Sequence, residues 1–312
     1  MSTVATPAPA PRRRHRRSKL RRRQTRLAWL LLLPALAVVA LVAIYPLGKT
    51  VYQSFTDAQF LAGITPTKWV GWDNYFGPAG VIHDPIFRHA VWVTIKFTVI
   101  TVLFEFALGL TIALVVNSKF RGRGLMRAIM LVPWAIPTVV AAQMWKWMLD
   151  DVYGVTNDAG VKAHLISHPH AWIADPATSL ASVCAVDIWK TTPFVALLLL
   201  AGMQVIPNDL YEAASVDGAN VLQQFWRITL PLLRPAILVA LIFRTLDALR
   251  VYDVFAVFFG NRTDTISMAV YDQTTIVGDG NVGYGAAISV AIFLIIALFV
   301  VLYVTAVRVS DE

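Results

Sequence analysis

The chain has 312 residues, 57% of them hydrophobic and only 15% charged, where an average soluble protein carries about a quarter. That balance excludes an ordinary soluble domain and indicates an integral membrane protein, so length is no guide to domain number. The formal net charge of +8 is local rather than global, because most of it lies in Arg12–Arg26 (RRRHRRSKLRRRQTR).

Residues 1–26 read as a disordered basic tail. A run of this kind suits nucleic acid or anionic lipid; placed directly before an apolar span, it reads as a cytoplasmic topology anchor on the lipid bilayer, with no nucleic acid involved. A spanning helix needs about 20 mostly apolar residues. Six segments qualify: Leu27–Leu47, Ala90–Val116, Leu125–Leu149, Ser179–Met203, Ala236–Phe259 and Tyr284–Val307. The first is too long for a signal core and lacks a small-x-small cleavage site, so it is expected to be retained.

Lysine and arginine placement orients the spans. The tail, the loop Asn117–Gly124 (Lys119, Arg121, Arg123, with Arg127 just after), the loop carrying Arg227 and Arg234, and the C-terminus after Arg308 are all expected on the cytoplasmic side. The segments Lys49–His89, Asp150–Thr178 and Gly260–Gly283 are poor in positive charge or rich in aspartate and glycine, and are expected outside. Every loop then falls where six spans require it, and no strong internal repeat is evident. The prediction is an all-α integral membrane protein with both termini cytoplasmic.

Ionisable groups inside spans are costly, about 2.5–3.5 kcal/mol each on insertion scales, and should face protein or water. In the second span, Lys96 can snorkel outward, which leaves Glu105 as a group for a buried polar contact. His164, His168 and His170 lie in an external segment and read as solvated, with no acid or cysteine completing a metal set. The fourth span carries Asp187, Trp189, Lys190, Thr191, Thr192, Pro193 and Phe194; Pro193 removes a backbone donor and should distort the helix. A tryptophan among polar groups suits a sugar, and equally suits packing or the membrane interface.

Between the fourth and fifth spans lies a polar stretch, residues 204–234. Asn208 caps a first short helix, Asp217-Gly218 turns the chain, and a second amphipathic run halts at Pro231, with Pro235 opening the fifth span. In the fifth span Arg244, Asp247, Arg250 and Asp253 recur every three residues with alternating sign. On one continuous helix that row either lines a hydrated pathway or forms a salt-bridge ladder that locks packing.

No catalytic motif emerges: there is no phosphate-binding Gly-x-x-x-x-Gly-Lys-Ser/Thr, no Gly-x-Ser-x-Gly and no His-Glu-x-x-His. The single cysteine, Cys184, permits neither an intrachain disulfide nor a cysteine metal cluster. The chain therefore reads as a membrane protein without catalytic residues, bound metal or cofactor of its own.

The stretch Glu212-Ala213-Ala214, three residues, Gly218, then Ile228-Thr229-Leu230-Pro231 resembles the coupling loop of ABC-importer permeases. Further strings extend the likeness to nearly the whole chain after the tail. They are Tyr45-Pro46 with Ser54-Phe55, Val70-Gly71-Trp72-Asp73-Asn74-Tyr75, Leu131-Val132-Pro133-Trp134-Ala135-Ile136-Pro137, Trp145 to Trp147, and Asp187 to Phe194. Together they are similar to the sugar-import permeases of the maltose/trehalose type, with Trp189–Phe194 and Phe243–Ala248 nearest to trehalose importers. Asp187 stands where the maltose case has asparagine and Phe194 where it has tyrosine. The family's Thr-x-Gly-Gly-Pro after the fifth span is replaced by Phe259-Gly260-Asn261-Arg262.

The resemblance implies the type I ABC-importer permease fold in a bacterial inner membrane. It implies a second permease subunit, two ATPase subunits that hold ATP and Mg, and an extracytoplasmic sugar-binding protein. It assigns Glu212, Ala213, Ala214, Asp217 and Gly218 to ATPase coupling. Asp187, Trp189, Lys190, Thr191, Phe194, Arg244, Asp247, Arg250 and Asp253 are the expected pathway residues. Trehalose and maltose lead as substrates; another oligosaccharide or glycerol 3-phosphate, or a proton-driven secondary transporter with Asp187, Glu105 or Asp247 as relay, are the alternatives.

Overall fold

A computed structural model describes residues 19–59, 67–118, 120–260, 264–275 and 280–309. Most of the basic tail, Lys119, and Asn261 and Arg262 lie outside the described residues. The chain forms two compact units, Met1–Thr50 and Val51–Glu312.

In the first unit, α1 (Lys19–Val39) passes through a π-helical turn, Ala40–Ile44, into α2 (Tyr45–Gln53), so the apolar helix extends past the predicted end at Leu47. The cause is at Pro46. A proline has no N–H to give the i−4 carbonyl, and its ring crowds that carbonyl. The wider π turn absorbs the mismatch: Tyr45 N–H reaches back five residues to the Ala40 carbonyl, and the helix resumes.

The second unit is built on helices of spanning length. α3 (Asp73–Phe76) leads to α4 (Pro85–Asn117), which begins with proline in its first turn, where the missing N–H costs nothing. Asp84 caps α4 by accepting from Ile86 N–H at 2.8 Å, and accepts from the Tyr284 hydroxyl at 2.8 Å. α5 (Arg123–Ala135) and α6 (Thr138–Met148) follow, then the short α7 (Val155–Lys162) and α8 (Ser179–Gln204). Next come α9 (Asn208–Val216) and α10 (Val221–Gln224), a second π turn at Phe225–Thr229, and α11 (Leu230–Leu249). α12 (Asp253–Phe259), α13 (Ile266–Thr274) and α14 (Val282–Val309) complete the described chain.

Three expectations are corrected. The third span is not one helix: α5 and α6 meet at 89°, because Pro137 forces Ile136 into extended backbone at φ −72°, ψ 131°. Five helices are long and apolar enough to cross a membrane, and a sixth crossing requires counting this bent pair as one span. The amphipathic run after Gly218 does not halt at Pro231. The π turn just before it, with Leu230 N–H bonded to the Phe225 carbonyl, carries the helix through, and Pro235 is accommodated inside α11. The fifth span, in turn, breaks at Arg250–Tyr252, so Asp253 opens a separate helix. Pro193 leaves α8 unbroken over its length.

α4 and α8 form the central pair, with α11 against both. Their approach depends on Gly109: a Cβ there would lie 2.9 Å from Val195 Cγ1 and 3.1 Å from the Ala196 nitrogen. Val195, Leu199, Leu200 and Leu233 fill the layer nearest the α9 end, and Phe97, Val183, Phe255 and Met268 fill the opposite one. Between these two apolar layers sit the charges.

Candidate functional site

Three helices converge on one guanidinium. Glu105 of α4 is fully buried and Arg244 of α11 is 2% exposed. The two meet in a forked pair: Arg244 Nε donates to Glu105 Oε2, and Nη2 donates to Oε1 at 2.9 Å. Nη2 also donates to Asp187 Oδ2 from α8, and Nη1 donates to Asp247 Oδ2 at 2.9 Å, one turn along α11. Such bidentate, charge-assisted contacts are the strong end of the hydrogen-bond scale. They also offset the cost of burying the ions, which a lone charge could not recover.

The cluster opens on one side. Asp247 is 76% exposed, while Asp187 keeps only 12% of its side chain open. Both line a cavity of about 140 Å³, together with Lys190, Thr191, Arg250 and Asp253. The cavity exists because α11 ends: Arg250 caps its C-terminus, Val251–Tyr252 leave the helix, and α12 restarts at Asp253. Seven of the nine predicted pathway residues (Asp187, Lys190, Thr191, Arg244, Asp247, Arg250 and Asp253) are thus brought to one place. They do not form the continuous alternating row expected of a single helix.

Trp189 and Phe194 do not join them. Trp189 packs edge-on against Trp145 with ring centroids 5.4 Å apart, and Phe194 stacks on Trp134 at 6.1 Å. These contacts tie α8 to the bent pair α5–α6. Glu105 was legible as a buried polar contact, but sequence spacing gave no sign that its partner stands 139 residues away on α11. Lys96 lies 4.8 Å over the Trp92 ring.

Lys146 escaped the sequence reading. Its ammonium donates at 2.6 Å to the Val257 carbonyl in the last turn of α12, where a cation complements the helix end. Lys146 also lines a larger cavity of about 320 Å³ with Asp150, Asp151, Ile173 and Phe258. The Asp150 carboxylate accepts from Tyr153 and Val152 N–H, which holds its pKa below the ordinary value. Beside it Asn157, 4% exposed, ties the loop together, donating to the His170 carbonyl at 3.0 Å and accepting from Trp172 Nε1 at 2.8 Å. His170 lies 3.3 Å from Asp175.

The stretch between α8 and α11 is a compact helical turn. Gly218 takes φ +80°, a left-handed conformation that side chains strain. Asn220 and Gln223 form a reciprocal capping box on α10. The arms are tied by Tyr211 to Thr229 at 3.0 Å and by Gln224 Nε2 to Ser215 Oγ at 3.0 Å. Glu212, Ala213, Asp217 and Gly218 are exposed and Ala214 is half-buried. Val216, Val221 and Leu222 are exposed beside them.

A bundle of spanning helices, broken around a charged cavity and carrying an exposed helical turn, defines a multi-pass membrane permease. The family described as "Binding-protein-dependent transport system inner membrane component" matches residues 105–311, and the chain belongs to it. It is 40% identical to the trehalose/maltose transport system permease protein MalF of Thermococcus litoralis, over 92% of this chain and 95% of that one. It is 39% identical to the sulfoquinovosyl glycerol transport system permease protein SmoG of Agrobacterium fabrum, over 91% of each. It is 37% identical to the trehalose transport system permease protein SugA of Mycobacterium tuberculosis, over 92% of this chain and 91% of that one. In fold it resembles a chain of a bacterial ABC transporter that imports the acidic polysaccharide alginate. The TM-score is 0.77 at 22% identity, covering 95% of this chain and all of that one. The chain is a type I ABC-importer permease subunit, a transport component rather than an enzyme.

Proposed function

We propose that this chain forms half of the translocation pathway of an ATP-driven sugar importer in a bacterial inner membrane, with trehalose or maltose the leading substrates. The observation that carries this reading is the cavity at the α11–α12 break, where carboxylates, ammonium, guanidinium and threonine hydroxyl are gathered between apolar layers. A sugar passing an apolar barrier must exchange water for protein donors and acceptors, and this set supplies both. The names of the relatives support the substrate class, since two carry trehalose.

The partners follow from the same reading: a second permease closes the pathway, an extracytoplasmic binding protein delivers sugar, and two ATPase subunits bind ATP and Mg. Glu212, Ala213, Ala214, Asp217 and Gly218 form the contact through which ATPase movement reaches α11. Support comes from the continuity of the helical path, since α10, the π turn and α11 run without interruption from that exposed turn to Arg244. The test is uptake into proteoliposomes holding the complete complex. ATP inside and binding protein outside should drive entry of labelled trehalose or maltose. Uptake that follows an imposed proton gradient without ATP would establish the secondary-transporter reading instead, and uptake of glycerol 3-phosphate alone would overturn the sugar assignment.

A further inference from the structure

We infer that Asp247 is the carboxylate that binds substrate in this cavity, that Arg244 and Glu105 are its positioning residues, and that the site takes a neutral polyhydroxylated sugar. This inference rests on the transport reading above. By residue type alone Arg244 would suit glycerol 3-phosphate, because guanidinium pairs well with phosphate, although the interleaved aspartates already argue against an anion. In the fold it is already engaged: of its five N–H donors, two go to Glu105, one to Asp187 and one to Asp247. Both sides of its fork face carboxylates, so an anion entering the cavity would have to displace one. Around the cavity three carboxylates (Asp187, Asp247, Asp253) stand against three cations (Lys190, Arg244, Arg250), so the lining carries no excess of positive charge to draw an anion.

Asp247 is different in kind from the other two acids held by Arg244. Glu105 is fully buried and Asp187 nearly so, whereas Asp247 is 76% exposed and lines the cavity. The Arg244 contact fixes its Oδ2 at 2.9 Å, and Oδ1, which meets no donor among the described residues, is open to accept from a sugar hydroxyl. A carboxylate held in one rotamer before the ligand arrives binds with less entropy loss than a free one. Glu105 supplies the rigidity, because its forked pairing to a second helix prevents the guanidinium from swinging. Lysine could not replace Arg244, since a point charge cannot bridge Glu105 and Asp247 at once.

The test is equilibrium binding of radiolabelled trehalose and maltose to the purified permease–ATPase complex in nanodiscs, without binding protein so that only the permease site is read. Asp247→Asn, Arg244→Lys and Glu105→Gln should each weaken binding roughly tenfold, the size of one lost charged hydrogen bond. Asp247→Glu should recover part of the loss, and Asp158→Asn, in the external segment, should bind as wild type. A phosphorylated trehalose should compete at least about tenfold more weakly than trehalose itself. If Glu105→Gln does not assemble, the exposed Asp247 and the charge-conserving Arg244→Lys decide the matter. Wild-type affinity in Asp247→Asn or Arg244→Lys overturns the inference while leaving the sugar reading standing. If the wild-type complex binds neither sugar, both fall together.

Discussion

Arg244 is a single residue whose meaning changes between chain and fold. Along the sequence it is one member of an alternating row; in space it joins α4, α8 and α11. Its presence in an apolar span was enough to mark it, because a membrane tolerates such a group only against protein or water. Its main partner was not readable, since Glu105 is distant in sequence and no local period links the two. Glycines obey a simpler rule. At Gly218, valine would force a β-branched residue to φ +80° at a cost of about 1–2 kcal/mol. Gly218→Val should therefore leave membrane insertion intact and uncouple ATP hydrolysis from uptake; normal sugar uptake in that variant contradicts the assignment of this turn to coupling. At Gly109, the valine problem is packing against Val195, so Gly109→Val should destabilise the α4–α8 pair by about 1–3 kcal/mol. The check is the thermal unfolding midpoint of the purified complex, with no change expected for Gly124→Ala, where nothing lies within 4 Å of the added Cβ.

At the scale of elements, the order and approximate limits of the apolar segments were legible because hydropathy alone decides them. Where helices bend, continue or break was not. Pro46 and Pro231 look like stops, yet each follows a π turn that absorbs the missing N–H. Pro137, with the same local chemistry, does break its helix, because Ile136 becomes extended. The difference lies in whether the residue before proline stays helical: Tyr45 and Leu230 do, and Ile136 does not. Pro137→Ala should let α5 and α6 straighten. In a Cys184→Ala background, spin labels at Gly124 and Met148 should move apart by electron–electron resonance, and an unchanged distance would show that packing rather than proline holds the bend. The break at Arg250–Tyr252 has no proline at all. The restarted α12 is held instead by Lys146 on the Val257 carbonyl. Lys146→Met should remove a charged hydrogen bond worth about 1.5–3 kcal/mol and lower the thermal midpoint of the complex. An unchanged midpoint would assign α12's placement to its apolar packing alone.

For the whole molecule, the charge distribution predicts the sidedness of every loop. In the Cys184→Ala background, a cysteine at Ser215 should react with an impermeant maleimide only from the cytoplasmic side, and one at Thr156 only from outside. Reversal of either would break the six-crossing topology that the bent α5–α6 pair completes. The molecule places a charged cavity between apolar layers and connects it, by one helical path through α11, to the exposed turn at Gly218, which the charge distribution predicts to be cytoplasmic. The central claim is that this path carries energy from a separate ATPase to a sugar. The most direct measurement is the ATPase rate of the complex purified with its second permease and ATPase subunits, with and without binding protein, across trehalose, maltose and sulfoquinovosyl glycerol. Stimulation by a loaded binding protein in the wild-type complex, and its loss in Gly218→Val with basal hydrolysis retained, is the predicted result. An assembled complex whose hydrolysis is indifferent to every sugar and to Gly218→Val would contradict the account.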